Sequence, residues 1–136
     1  GQSAVHLGDF NIAPLDEHVW DIAFFDGKTH VTEPERICFD GLIDAGLTEV
    51  TRPLTEARFT YWDYKALRFQ KGAGMRIDFQ LATPALAKRL NRLQISFMKQ
   101  AQAAFVDVEE RAGTGASDHA PVVVDYVEKA TFDEVR

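Results

Sequence analysis

Gly72-Ala73-Gly74-Met75-Arg76-Ile77-Asp78-Phe79-Gln80-Leu81-Ala82-Thr83 is the stretch on which the fold turns. Two glycines make a turn, and the apolar run from Met75 to Thr83 has the length and composition of a strand that stops at Pro84. Asp78 stands inside that run, between Ile77 and Phe79. An isolated carboxylate is costly to bury, so Asp78 needs a partner, and a histidine is the best one available. His119, in Ser117-Asp118-His119-Ala120-Pro121-Val122, fits, and an Asp78–His119 dyad would orient the imidazole. The bland alternative is a solvated strand face on which Asp78 bridges Arg76 or Lys71.

Upstream, Ala4-Val5-His6-Leu7 reads as a short strand that runs into Gly8-Asp9-Phe10-Asn11, with Ala13-Pro14 barring its continuation. Asp9 and Asn11 are common turn formers. Gly8, however, lets the backbone bend so that both side chains share one space, where Asp9 offers a hard oxygen ligand and Asn11 a neutral amide. That is Mg²⁺-type chemistry. Residues 34–46 read as a helix, with Thr32 or Glu33 at the cap, Pro34 in the first turn and Gly46 as the stop. Ile37, Leu42 and Ile43 would face inward, with Cys38 as a buried core thiol. Leu47 to Thr51 is a short strand. Arg58-Phe59-Thr60-Tyr61-Trp62 alternates as a strand, with Phe59 and Tyr61 in the core and Trp62 on the other face.

Downstream, Pro84 opens a helix through Leu90 that continues past Ile95 toward Ala104. Ala104 to Glu109 reads as a strand, Arg111 to Ala116 as a loop, and Pro121 to Tyr126 as the last strand. Strands alternating with helices indicate an α/β or α+β sandwich.

The 136 residues suit one domain, and 46% hydrophobic content suits a soluble globular protein, expected to be cytoplasmic: no basic, apolar leader or membrane-length run is present. One cysteine cannot form an internal disulfide. The net charge of −6 argues mildly against a general nucleic-acid binder. That average hides an asymmetry, because residues 52–76 carry six bases against two acids together with Phe59, Tyr61, Trp62, Tyr64 and Phe69, enough to hold DNA locally. His6, His18 and His30 lack ligand-like spacing and are assigned no role. No Cys/His zinc pattern, P-loop or G-x-S-x-G elbow occurs.

Taken in order, GDFNIAPLDEHVWD, VTEPER, FTYWDYKALRFQKGAGMRIDFQLATPALA and SDHAPVVVDY make residues 5 to about 127 similar to the carboxyl-terminal half of the exonuclease III and AP endonuclease family, within the endonuclease/exonuclease/phosphatase superfamily. The resemblance implies half of a four-layer α/β sandwich: one mixed β-sheet with helices on one face, residues 1–128 forming the half-domain and 129–136 a tail. It implies a DNA-repair nuclease that cuts the backbone at abasic sites and trims 3′ ends with Mg²⁺ or Mn²⁺. Asp9 and Asn11 match residues that position water, metal and scissile phosphate; Asp78 matches the acid paired with the catalytic histidine, His119; Asp118 matches a neighbouring metal-holding acid. Trp62 matches the ring lining the pocket for a flipped-out abasic sugar, whose extrusion costs least where the base is missing.

The family's asparagine motif, principal glutamate metal ligand and phosphate-contacting tyrosine belong to an amino-terminal half and have no counterpart here. The fragment alone is therefore expected to be inactive, and Leu93 to Gln100 reads as an insertion. The implied partners are double-stranded DNA with abasic sites or 3′ ends, the missing amino-terminal half, or a second copy packed on an uncovered apolar sheet face, with no membrane partner. The alternatives are a superfamily phosphatase or phosphodiesterase acting on nucleotides or lipid head groups, and a non-catalytic DNA-binding or assembly module.

Overall fold

The computed structural model describes residues 1–90 and 104–128. The helix continuation past Ile95, the insertion at 93–100 and the tail at 129–136 lie outside the described residues. The strand that holds Asp78, β3 (Asp78–Ala82), is central in a three-stranded sheet, between β1 (Val5–Asp9) and β2 (Thr48–Glu49). Both flanking strands run antiparallel to β3, and the register sets Asp9 directly opposite Asp78 and Leu7 opposite Gln80. A second, two-stranded antiparallel sheet joins β4 (Ala104–Val106) to β5 (Val122–Val124).

The α/β class is as the sequence implied. The mixed pairing is not, since every strand pairing among the described residues is antiparallel. The helix that follows β1 carries the chain over to β2, so those two strands do run parallel to one another. β3 lies between them and takes the ladder bonds of both.

That helix, α1 (Glu33–Asp44), starts on a reciprocal cap. The Glu35 carboxylate accepts from the Thr32 N–H (3.2 Å) and hydroxyl (2.6 Å), and Pro34 occupies the first turn. Its inward face is carried by Phe39, which meets Phe79 edge-on with centroids 5.1 Å apart, while Phe10, Ile12, Leu42 and Leu47 close around them. Burying one such ring is worth about 1.5–3 kcal/mol. Alternation along β3 sends Phe79 and Leu81 toward α1 and turns Asp78, Gln80 and Ala82 the other way. There Ala82 joins Val50, Leu86 and Leu90, and the Gln80 amide donates to the Val122 carbonyl (3.1 Å). Pro84 opens the short α2 (Pro84–Ala87), and Asp107 caps α3 (Val108–Ala112) by accepting from Glu110 N–H at 3.1 Å.

Several sequence expectations change. Cys38 is exposed rather than buried, and Ile37 and Ile43 point outward, because Phe39 sets the helix phase and its neighbour at 38 falls about 100° away. Residues 58–62 form no strand: Tyr61 alone bridges to Met75 and to His119. Strand alternation therefore does not apply there, and Phe59 and Trp62 pack on the same side, edge-to-face at 6.4 Å. The strand expected from Ala104 to Glu109 stops at Val106, where the Asp107 cap turns the chain into α3 across part of the expected loop. The sheet face opposite α1 is not broadly apolar. Leu7 lies open on it at 64% exposure, but polar Asp78 and Gln80 share that face and β5 lies against it. No described helix is long and apolar enough to cross a membrane.

Candidate active site

Three separate segments meet at the Asp9–Asp78 end of β1 and β3. Residues 60–62 lie between the other two: Thr60 and Tyr61 N–H both donate to the Met75 carbonyl (2.8 and 3.0 Å), while Ala120 N–H donates to the Thr60 carbonyl (2.7 Å) and Trp62 N–H to the Asp118 carbonyl (2.9 Å). Main-chain bonds thus fix His119 relative to β3 before any side chain is considered.

The register alone would place two carboxylates face to face, an arrangement that like charges disfavour. His119 resolves it. Its Nδ1 lies 2.8 Å from Asp78 Oδ2 and 3.0 Å from Oδ1, and its Nε2 lies 3.7 Å from Asp9 Oδ2. With Nδ1–H donating to Asp78, the other ring nitrogen, Nε2, is turned toward Asp9. The expected Asp78–His119 dyad is present, and the alternative pairing with Arg76 is not: Arg76 donates instead to Arg58 O, Thr55 Oγ1 and Ala57 O.

Thr60 completes the support. Its buried hydroxyl donates to Asp78 Oδ2 (2.7 Å) and accepts from the Ile77 and Asp78 N–H groups, both at 3.2 Å. Burial nevertheless pushes the Asp78 carboxyl above the usual range, with the His119 and Thr60 hydrogen bonds pulling back and the Asp9 charge adding to the rise. Ser117 Oγ accepts from the His119 N–H at 3.1 Å, and the Tyr61 ring lies 4.9 Å from the imidazole. The Tyr61 phenol is shifted upward, chiefly by burial and then by Asp63, Asp118 and Asp9.

On the opposite wall Gly8 takes φ +139°, the bend its position implied, and Asn11 takes φ +53°, a left-handed conformation that asparagine tolerates. Asn11 N–H donates to Asp9 Oδ1 (2.8 Å), and the Asn11 carbonyl is 2.7 Å from His30 Nδ1. That gives a backbone role to a histidine the sequence left without one. A groove of about 230 Å³ opens alongside, lined by Leu7, Asp78 and Gln80 on one side and Ala120 to Val122 on the other.

Asp9, Asp78 and His119 can each offer a ligand atom within 4.8 Å of the others. As a divalent-metal site this donor set is partial. Asp78 is engaged by Thr60 and His119, which leaves Asp9 as the available hard carboxylate, while Mg²⁺ commonly takes one or two carboxylates and completes its shell with water and substrate phosphate. Asp118 lies outside that group. Trp62 does not present an open ring. It is 6% exposed and wedged among Phe59, Phe69 and Ala120. The ring against the site is Tyr61, beside His119, while Tyr64 is 62% exposed with its hydroxyl donating to the Ala116 carbonyl. Thr60 and Tyr61 escaped the sequence reading; the available signal was a hydroxyl set among aromatics, which cannot be buried without a polar partner.

No family model matches the chain. The exodeoxyribonuclease III of Haemophilus influenzae is 30% identical over 132 residues, covering 88% of this chain and 44% of that protein. Among solved structures, the 3′ phosphatase NExo from Neisseria bound to product DNA hairpin superposes with a TM-score of 0.78 at 36% identity, over 92% of this chain and 45% of that one. An AP endonuclease from Archaeoglobus fulgidus superposes with a TM-score of 0.73 at 28% identity, over 92% and 46%. The chain thus spans less than half the length of each relative. The resemblance to exonuclease III and the AP endonucleases read from the motifs is borne out over most of the chain.

Proposed function

We propose that this chain, matched along most of its length by parts of a deoxyribonuclease, a DNA 3′ phosphatase and an AP endonuclease, supplies one wall of the active site of a DNA-repair phosphodiesterase. The observation that carries this reading is the imidazole of His119, fixed through Nδ1 by Asp78 and directed through Nε2 at Asp9. In such a site Asp78 and Thr60 hold the ring, Nε2 is the atom that meets a phosphate oxygen or a proton, and Asp9 with Asn11 places the attacking water opposite. Hydrolysis then adds water across the P–O bond, one proton passing to the departing oxygen. A divalent cation, held by Asp9 with help from Asn11, would supply the charge that stabilises the phosphate as negative charge builds on it. Tyr61 takes the part first assigned to Trp62, an aromatic wall beside the reacting group.

The substrate in this reading is duplex DNA carrying abasic sites or 3′ ends, and the Leu7 face is covered in the working enzyme by the remaining portion of the protein or by a second copy. In the full-length protein, His119→Ala and Asp78→Ala should each cut turnover of an abasic duplex by ~10²–10⁴-fold. Activity surviving both changes would refute the reading. The 136-residue chain alone should show little turnover, and should sediment larger than a monomer if a second copy covers the face. A second reading is favoured by the relative bound to product DNA: removal of a 3′-terminal phosphate. Release of inorganic phosphate from a 3′-phosphorylated hairpin, without strand cleavage of an abasic duplex, would select it.

A further inference from the structure

Beside the Met75–Asp78 segment, a second cavity of about 250 Å³ is lined by His18, Arg52, Thr55, Arg58 and Arg76, and shares no residue with the Asp9–Asp78–His119 cluster. Three guanidinium groups line this small space, and among the described residues none forms a salt bridge. Glu17 and Glu56 also line it without reaching ion-pair distance, and Glu49, whose charge acts on Arg76, is occupied by Thr51 and the Arg52 N–H.

Arg76 is 2% exposed, and its Nη1 has no hydrogen-bond partner. His18, 3% exposed, brings a second donor to the same cavity. Its Nδ1 accepts from the Leu15 N–H at 3.1 Å, so the neutral ring carries its proton on Nε2. That Nε2–H lies 3.3 Å from Arg52 Nη1, itself an obligatory donor. Two donors aimed at each other need an acceptor between or beside them, and a buried donor left unmade costs its desolvation. His18 does not escape by ionising further: burial, and then the arginines led by Arg52, lower its pKa to about 4.

We infer that this cavity is a binding site for a phosphate-class oxyanion, held by His18 Nε2–H and the guanidinium groups of Arg52 and Arg76. Arg58 sits at its rim, its Nε and Nη2 engaged by the Glu17 and Val19 carbonyls, and adds charge rather than free donors. At about 250 Å³ the space falls below the range of pockets that enclose drug-sized ligands, which selects a small anion or one phosphate group of a larger molecule.

The test is titration of the 136-residue chain with inorganic phosphate, in a phosphate-free buffer at ionic strength held constant with chloride, following the His18 ring resonances and the melting temperature. A saturable His18 shift with a rise in Tm is expected. Arg52→Gln, at an exposed position, should weaken the affinity ~tenfold or more, and Glu56→Gln should tighten it about twofold by removing a nearby negative charge. An undamaged DNA duplex tells the sources apart: if it shifts the same His18 resonances and competes with phosphate, the anion is a backbone phosphate, and if only phosphate acts, it is a free anion. Absence of any His18 response to phosphate or duplex beyond the chloride control overturns the proposal. So does an Arg52→Gln protein that binds phosphate as tightly as its parent.

Discussion

Arg76 and Asp78 stand two residues apart on the run into β3, both withdrawn from solvent, and their charges are handled in opposite ways. Asp78 faces a complete set of partners, Thr60 Oγ1 and His119 Nδ1. Arg76 is compensated mainly by neutral oxygens, those of Thr55, Ala57 and Arg58, with one nitrogen left over and two more arginines nearby. The difference teaches how a strand can carry two charges of opposite sign and keep them apart. Neither neutralises the other, so each remains available to something outside the strand, an imidazole in one case and an open cavity in the other.

The acidic side should break most sharply at Thr60. Thr60→Val keeps the shape but removes one of the two partners of Asp78 Oδ2 and strands the Ile77 and Asp78 N–H groups, and should cost ~2–4 kcal/mol in urea denaturation. A loss below about 0.5 kcal/mol would mean that water replaces the hydroxyl freely. On the basic side the signature is pH dependence. His18 has a folded pKa of about 4 against 6.5 when unfolded, so its contribution is fully present above 6.5 and is lost as pH falls toward 4. The span is about 3 kcal/mol. His18→Gln should flatten that part of the stability profile in a phosphate-free buffer.

Between the two sides, Gly74 marks how tightly the connecting turn is packed. An added Cβ would meet Trp62 Nε1 at 2.5 Å and Phe59 Cβ at 2.8 Å, so Gly74→Ala should cost ~1–3 kcal/mol by overpacking, read as a fall in denaturation midpoint. The smallest effect belongs to the exposed ion pair of Arg36 with Asp16, at 2.8 Å. Asp16→Asn should change stability by ~1 kcal/mol or less and serves as the surface baseline.

What was legible in the sequence follows the same division. Asp78 announced itself because a carboxylate inside an apolar run is anomalous and needs a partner if buried, for which His119 was the better candidate against Arg76 or Lys71 on a solvated face. The capped start of α1 was legible at Thr32 and Pro34 because capping is local chemistry. Trp62 and Cys38 were misplaced because their surroundings are set by distant contacts. Trp62 packs against Phe69 and Ala120, and Phe39 fixes the phase of α1 against Phe79. His18 gave no sign at all, since nothing local in Asp16-Glu17-His18 foretells that Arg52 and Arg76 arrive beside it from later in the chain.

The zipping of residues 60–62 between Met75 and Asp118–Ala120 also has a kinetic side. His119 reaches Asp78 across 41 residues of chain, and Asp9 reaches Asp78 only through the β1–β3 ladder. Neither approach is local, and contacts of large sequence separation must meet their loop-closure entropy before they return any stabilisation. The cluster therefore has no short-range nucleus of its own. Its geometry follows from β1, β3 and the 60–62 crossing having already docked, which makes the site a readout of completed folding and ties its integrity to whatever secures β3 from both edges.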